Sequence, residues 1–369
     1  MSTNFPLPLS VMNTSSSSTE LKQLLVVIPD LVTGGGERVT RQLIELLASR
    51  DYRIRLVSDV DEPLLTLLPL AGYRRLDWSC RLQRLLVIAD ELLRCDRNAH
   101  VLVVLTGPII LVGIINLLFR RKIIGYEHSD IEQLYLSSGD IKSYFRRLAL
   151  RTAFYSVRSV AVVSEYLQER VPRVLGSDCD KFVVVRNPVQ AFLQKLVCDP
   201  SPQSSSFLTA YIIGRNSIEK RHYEAIELLA NCLRVQQIVL VARDAQTLRH
   251  QLSTQANAKL LILDCLAEIS SFDTTSSFLF SYSSVESYSL VTAEWLASGL
   301  KVLTVDIEPM WRLWRHWCGA HFVPVQCSPA ELEETLEYAF CEIQADTRLK
   351  FEPVTVQTSG DDLERLLSR

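Results

Sequence analysis

Glu286 and Glu294 stand eight positions apart in the segment from Ser281 to Gly299. An apolar run at 277–281 reads as a strand, and a polar loop leads from it into a helix ending near Gly299. Glu286 then lies in the loop and Glu294 about two turns along the helix. Carboxylates placed there can accept hydrogen bonds from sugar or ribose hydroxyls, because open α/β sheets bind ligands outside the carboxyl ends of their strands. Glutamates at this spacing are otherwise solvated. Upstream, the strand Tyr211–Ile213 ends in Gly214, then Arg215, with Lys220 ahead of a helix from Tyr223 to Leu233. Two cations beside a helix N-terminus suit a diphosphate. The other reading is a solvated loop with a capping glycine and incidental bases.

A third element lies near the start. Residues 23–29 read as a buried strand, Gly34, Gly35 and Gly36 follow, and a helix runs from about Glu37 to Ser49. Such a unit lets backbone N–H groups approach a phosphate. The GxGxxG spacing and the Lys-Ser/Thr of a P-loop are both missing, so neither a dinucleotide nor an ATP site is supported. The alternative is a tight turn that needs positive φ. His128 follows the strand Lys122–Gly125 in Tyr126-Glu127-His128. A histidine at a strand's carboxyl end suits a site, and a lone histidine is otherwise a cap or a core partner. Glu127 either orients His128 or points to the opposite face of the strand.

The chain that positions these residues has 369 of them, enough for two domains. Apolar strands at 23–29, 53–58, 101–105, 122–126, 159–163 and 182–186 alternate with helical stretches. That alternation predicts a parallel sheet covered on both faces. After a Pro/Ser-rich linker, strands restart at 208–213, 237–241, 260–263, 277–281 and 301–305. The division is a mobile tail at 1–20, a Rossmann-like domain at 21–190, a linker at 191–206, a second Rossmann-like domain at 207–345 and a tail at 346–369.

Residues 1–190 carry 24 Lys/Arg against 20 Asp/Glu, and the remainder 15 against 22. That excess is too small for a nucleic-acid protein, and a mildly basic N-terminal half suits an anionic membrane surface or a phosphorylated acceptor. Nine cysteines with no CxxC pair point to a reducing cytosol, without a disulfide framework or zinc site. The first 20 residues lack the basic region and apolar core of a signal peptide. Val101 to Phe119 is uncharged and long enough to span a membrane. Gly107 and Pro108 divide it instead into a strand, a turn at 106–108 and a buried helix from Ile109 to Phe119. Lys142, Arg146, Arg147, Arg151 and Arg158, interleaved with Tyr144, Phe145, Phe154 and Tyr155, read either as a membrane-lying surface or as a solvated helix with a core face. Arg81, Arg84, Arg94 and Arg97 could add to the same surface. Trp311, Trp314 and Trp317 read as helical core, and Asp59-Val60-Asp61 as a solvated loop rather than a metal site.

Taken in order, these segments resemble the GT-B glycosyltransferases of family 4. The likeness rests on Gly34-Gly35-Gly36-Glu37-Arg38, on Gly214-Arg215 with Lys220, and on Glu286 with Glu294 before Ala297-Ser298-Gly299. Smaller matches are Tyr126-Glu127-His128, Val162-Val163-Ser164-Glu165 and Val185-Arg186-Asn187-Pro188-Val189. It covers roughly residues 22 to 345. The resemblance implies an α/β GT-B fold, two Rossmann-like domains facing each other across a cleft, with the C-terminal tail returning to the N-terminal domain. It implies a retaining, metal-independent hexosyltransferase with no cofactor, the nucleotide-sugar, a UDP-sugar by family habit, being its substrate. Arg215 and Lys220 would stabilise the leaving diphosphate, helped by the Gly35 and Gly36 amides. Glu286 would contact the donor sugar and Glu294 the ribose. His128 would lie beside the transferred sugar, and Ser287, Tyr288, Ser289 and Leu290 would line the donor. The acceptor would be lipid-linked or a surface polysaccharide such as lipopolysaccharide, met in the cytoplasm or at the cytoplasmic face of the inner membrane.

The chain departs from the family where glycines are usual. Ser287 and Ser289 follow Glu286, and Val241-Ala242-Arg243-Asp244 replaces a glycine pair. Leu263-Asp264-Cys265 stands where a glycine commonly precedes the base-binding loop, and Lys301 replaces a proline. Two further readings follow: a catalytically degenerate GT-B subunit supporting another transferase, and a nucleotide-sugar epimerase.

Overall fold

A computed structural model describes residues 21–31, 34–59, 68–77, 80–132, 136, 141–189, 197–198, 207–269, 272–273, 275–341 and 350–368. The expected tail at 1–20, most of the linker, and Asp61 lie outside the described residues. The first sheet contains β1 (Lys22–Val27), β2 (Tyr52–Ser58), β3 (Gly72–Arg75), β4 (His100–Val104), β5 (Ile123–Glu127), β6 (Ser159–Val162) and β7 (Phe182–Val184). All pair in parallel, in the order β3-β2-β1-β4-β5-β6-β7. After β8 (Val197–Cys198) come β9 (Leu208–Ile213), β10 (Val235–Val241), β11 (Leu260–Leu263), β12 (Phe272–Asp273), β13 (Ser277–Ser281), β14 (Lys301–Val305) and β15 (Ala320–Val323). The second sheet is also parallel, ordered β11-β10-β9-β13-β14-β15, and β8 pairs with β12 alone. Two such sheets make the α/β GT-B architecture.

Parallel strands joined by right-handed crossovers place leftward and rightward helices on opposite faces. The helix Gly35–Ala48 lies on one face of the first sheet, packed against the C-terminal helix Val356–Ser368. The helices Arg81–Arg94, Thr106–Phe119 and Ile141–Ser156 lie side by side on the other. A Cβ at Gly113 would sit 2.7 Å from the Ala153 carbonyl oxygen, so the last two helices touch through backbone. Ser156 Oγ donates to Gly113 O at 2.5 Å and Asn116 Nδ2 to Ser156 O at 3.0 Å, which locks the contact.

The expected turn at 106–108 is instead the first turn of the helix. Proline is tolerated there because the first amides of a helix have no intrahelical partner. With 14 residues this helix is about 21 Å long, short of the roughly 30 Å apolar core of a bilayer. Among the described residues no helix is long and apolar enough to cross a membrane.

The C-terminal helix is anchored to the N-terminal domain by Arg50, whose guanidinium meets Asp361 at 2.6 Å and Glu364 at 3.1 Å. Val189 N donates to Val354 O at 2.8 Å, so the two stretches of chain that run between the domains meet at one point. The three tryptophans divide: Trp314 is buried, Trp317 packs on Phe351 beyond the helix Glu308–Trp314, and Trp311 is 41% exposed with Arg315 stacked on its ring. Trp311 therefore corrects the expectation of a uniform core stripe.

Candidate active site between the domains

The carboxyl ends of both sheets contribute to one cleft. On the N-terminal side, β1 leads to Gly34, the extended N-cap of the helix Gly35–Ala48. Gly34 offers no side chain to cap this end, and the Glu37 carboxylate folds back beside Gly34 and accepts from its own backbone N–H. None of the three glycines has positive φ, which excludes the tight-turn reading. Their small size serves close approach instead. A Cβ on Gly36 would lie 3.2 Å from the His128 ring, and one on Gly35 would lie 3.6 Å from Leu290 of the C-terminal domain.

His128 leaves the end of β5 with its ring against Tyr126, centroids 4.2 Å apart. Burial pushes its imidazole down to about 3, so it is neutral at physiological pH, and neither ring nitrogen has a hydrogen-bond partner among the described residues. Glu127 does not bond that ring. Its buried carboxylate accepts from Thr106 Oγ1 at 2.7 Å and from Ser129 N at 2.9 Å. Glu127 thus shapes the loop that carries His128, and burial raises it to about 7.

On the C-terminal side, β9 ends at Ile213 and Lys220 sits in a short 3-10 turn before the helix His222–Ala230. Lys220 and Glu286 form an ion pair, with 21% and 11% of their side chains exposed. Ser284 donates to Glu219 O through its backbone N at 2.8 Å and its Oγ at 3.2 Å, tying the two loops together. Arg215 is 65% exposed and 3.9 Å from Glu219. Burial raises the Glu37 carboxyl, and its own backbone N–H and Arg215 oppose the rise, so Arg215 lies within electrostatic reach of the glycine-loop helix.

Glu294 lies on the helix Leu290–Ala297, 2% exposed, and pairs with Arg38 of the opposite domain. Burial pushes Glu294 up to about 7 and Arg38 opposes the shift. Ser287 Oγ donates to His128 O, and Ser164 Oγ donates to Ser287 O at 3.2 Å. The remaining expected donor residues divide. Leu290 faces Gly35, the Ser289 hydroxyl bonds Thr292 Oγ1 at 2.8 Å, and the Tyr288 ring turns into the core against Trp314.

Arg38 and Ser164 are cleft residues that the sequence placed in motifs without assigning them to the site. Their signal was position: Arg38 is in the first turn after the glycines, and Ser164 follows β6. Among the described residues no group of His, Cys, Asp or Glu could hold a metal ion, and Asp59 is bonded to Arg75 at 3.0 Å.

Two of the missing glycines leave a mark. Ser289 has φ 55 and Asp244 φ 58, both left-handed, after β13 and β10. A non-glycine residue there costs roughly 1–2 kcal/mol. Ser289→Gly is therefore expected to stabilise the protein by about 0.5–1 kcal/mol, less than the full strain because glycine also loosens the unfolded chain. A urea titration checks this, and a loss of stability would mean that the Ser289–Thr292 bond outweighs the strain.

Residues 33–191 match the family model described as Glycosyltransferase Family 4. That stretch of the N-terminal domain is similar to glycosyltransferase family 4. Solved structures of this GT-B fold align over nearly the whole length of the chain. Anabaena HepE in complex with UDP and glucose is 15% identical, covers 94% of this chain and 99% of its own, and superposes with a TM-score of 0.69. A glycosyltransferase from Rickettsia africae is also 15% identical, with 95% and 98% covered and a TM-score of 0.69. WaaG, a glycosyltransferase involved in lipopolysaccharide biosynthesis, is 12% identical, with 94% and 95% covered and a TM-score of 0.61. Comparison with curated protein sequences finds no match.

Proposed function

We propose that this chain is a family 4 glycosyltransferase that moves a hexose from a UDP-sugar to a lipid-linked or surface-polysaccharide acceptor, with retention and without a metal. The observation that carries the proposal is the Lys220–Glu286 pair beside Arg215, opposite Gly35, Gly36 and His128. When the bond between C1 and the diphosphate oxygen breaks, its electron pair stays on the phosphate. Fixed positive charge from Lys220 and Arg215, with the amides of Gly35 and Gly36, lowers the barrier to that step. As the phosphate takes the ammonium, Glu286 is released to accept a hydrogen bond from the sugar. Glu294 accepts from the ribose hydroxyls, held in place by Arg38. His128 is neutral and packs where the sugar meets Gly36, so it adds shape and a hydrogen bond rather than charge. Backbone groups of Ser287 to Leu290 complete the donor wall.

The UDP assignment draws on the HepE complex, and the acceptor class on WaaG and on the basic N-terminal half. Transfer in the cytoplasm, at the cytoplasmic face of the membrane, fits a sequence of nine cysteines without a CxxC pair. The strained Ser289 and Asp244, at positions where glycine would relax the backbone, favour a second reading. In it the fold persists as an accessory subunit without turnover.

A thermal-shift panel of UDP, GDP, ADP and their sugars separates the two. UDP at a hundredfold its dissociation constant is expected to stabilise the wild type by about 2.7 kcal/mol. Lys220→Ala should lose most of that shift. No shift with any nucleotide would overturn the transferase in favour of the accessory subunit. Binding of UDP-sugar that gives a free epimer without an acceptor would make the chain an epimerase.

A further inference from the structure

The three helices on the outer face of the first sheet are apolar on the side that faces solvent. Leu82, Leu85 and Leu86 are 66%, 41% and 62% exposed on the first. Ile114, Leu117 and Leu118 on the second are 42%, 45% and 82% exposed. Ile141, Tyr144 and Phe145 on the third are 74%, 66% and 61% exposed, and Leu148 continues the stripe. Each set falls at i, i+3, i+4, which is one helical face. On the third helix Leu150, Ala153 and Phe154 fill the core on the opposite side. A helix with one buried apolar face ordinarily presents a polar face to water. Three adjacent helices break that rule together.

The surrounding charge has one sign. Residues 141–158 hold Lys142, Arg146, Arg147, Arg151 and Arg158 and no acidic residue, and 106–122 end in Arg120, Arg121 and Lys122, again with no acid. On the first helix Glu91 is buried against Arg55 at 2.7 Å, and Asp90 is bonded to Arg74 and to Arg94. Exposed leucines framed by arginines match an anionic lipid surface, where the apolar side chains enter the headgroup boundary and the guanidinium groups reach phosphates. A second copy of the chain would bring like charges together.

We propose that this three-helix face docks on an anionic membrane, with the apolar stripes inserted and the bases around them holding lipid phosphates. Helices in a parallel sheet run opposite to its strands, so Leu82 and Ile141, at the helix starts, lie toward the cleft end of the face. The membrane plane then sits beside the mouth of the cleft, within reach of a lipid-linked acceptor. That last link rests on the proposed transfer, and the docking itself does not.

The test is sedimentation of the full chain with vesicles of phosphatidylcholine alone and of phosphatidylcholine with phosphatidylglycerol. Binding is expected only with the anionic vesicles, weakening with salt. Arg146→Glu with Arg147→Glu should weaken it by about a hundredfold or more, since each base near the surface is worth roughly fivefold. Leu118→Gln with Phe145→Gln should cost at least about tenfold, with an unchanged melting temperature because both side chains point outward. Should that pair fold poorly, the arginine pair tests the same surface. Absence of binding to any vesicle, or wild-type binding by both double variants, would overturn the docking. A dimer in solution that the Leu118 and Phe145 changes dissolve would also overturn it, in favour of self-association.

Discussion

Lys220→Ala is expected to lower the transfer rate by about 10²–10³, the usual cost of removing one donor aimed at developing charge. The geometry makes this substitution doubly harmful. In the proposed transfer it removes the ammonium that would neutralise the leaving diphosphate, and it would leave the Glu286 carboxylate, 11% exposed, facing the phosphate without its partner. Two effects of one sign then act on the same step. Glu286→Gln separates them, because it keeps a hydrogen-bonding group for the sugar while freeing Lys220. It should bind UDP at least as tightly as the wild type and transfer more slowly. Single-turnover rates with a saturating UDP-sugar give the comparison. Transfer by Lys220→Ala within a few-fold of the wild type would remove Lys220 from the mechanism.

Arg38→Ala should show a stability loss that grows with pH. The folded value of Glu294, about 7, lies above its unfolded value of 4.5. Its contribution is therefore fully present below about pH 4.5 and is lost as pH rises through 7. In the wild type that loss stops near pH 7, where Arg38 holds the ionised form. Without Arg38 the carboxyl stays protonated to higher pH, and the loss continues at about 1.4 kcal/mol per pH unit. The two proteins should differ by about 1 kcal/mol at pH 5, from the lost hydrogen bond and side-chain packing. Near pH 9 the gap should widen by a further 2 kcal/mol or so. Urea titrations across that range measure it, with Glu294→Gln as the control that removes the pH term from both backgrounds. A gap that does not change with pH would show that Glu294 is not the group Arg38 stabilises.

Much of this frame was legible because it repeats. Buried strands of four to seven apolar residues, each followed by a polar or glycine-rich loop, announce a parallel sheet. The loops that matter therefore sit at predictable strand ends. Gly35 and Gly36, Lys220 and the two glutamates stand after such strand ends. The strands that escaped notice are edge strands. β3 is Gly72-Tyr-Arg-Arg75 and β15 is Ala320-His-Phe-Val323, and neither carries an apolar run, since an edge strand needs less burial. The cross-cleft bonds were hidden for another reason. Arg38 and Glu294 are 256 positions apart, and no local pattern records which helix end will meet which. The same holds for Ser287 against His128. The sequence leaves Glu127 open between two roles because strand alternation fixes its face but not its partner, and Thr106 becomes that partner only through the pairing of β4 with β5.

The meeting of Val189 with Val354 bears on how the cleft opens. Two lobes joined by a single strand can twist as well as swing. Here the outgoing and returning segments are clasped by a hydrogen bond at 2.8 Å, and the returning helix is bolted to the first lobe through Arg50. Such a joint behaves as a door hinge with a single pin. Leaves hung on such a pin would bring Arg38 back to Glu294 and Ser287 back to His128 whenever they met.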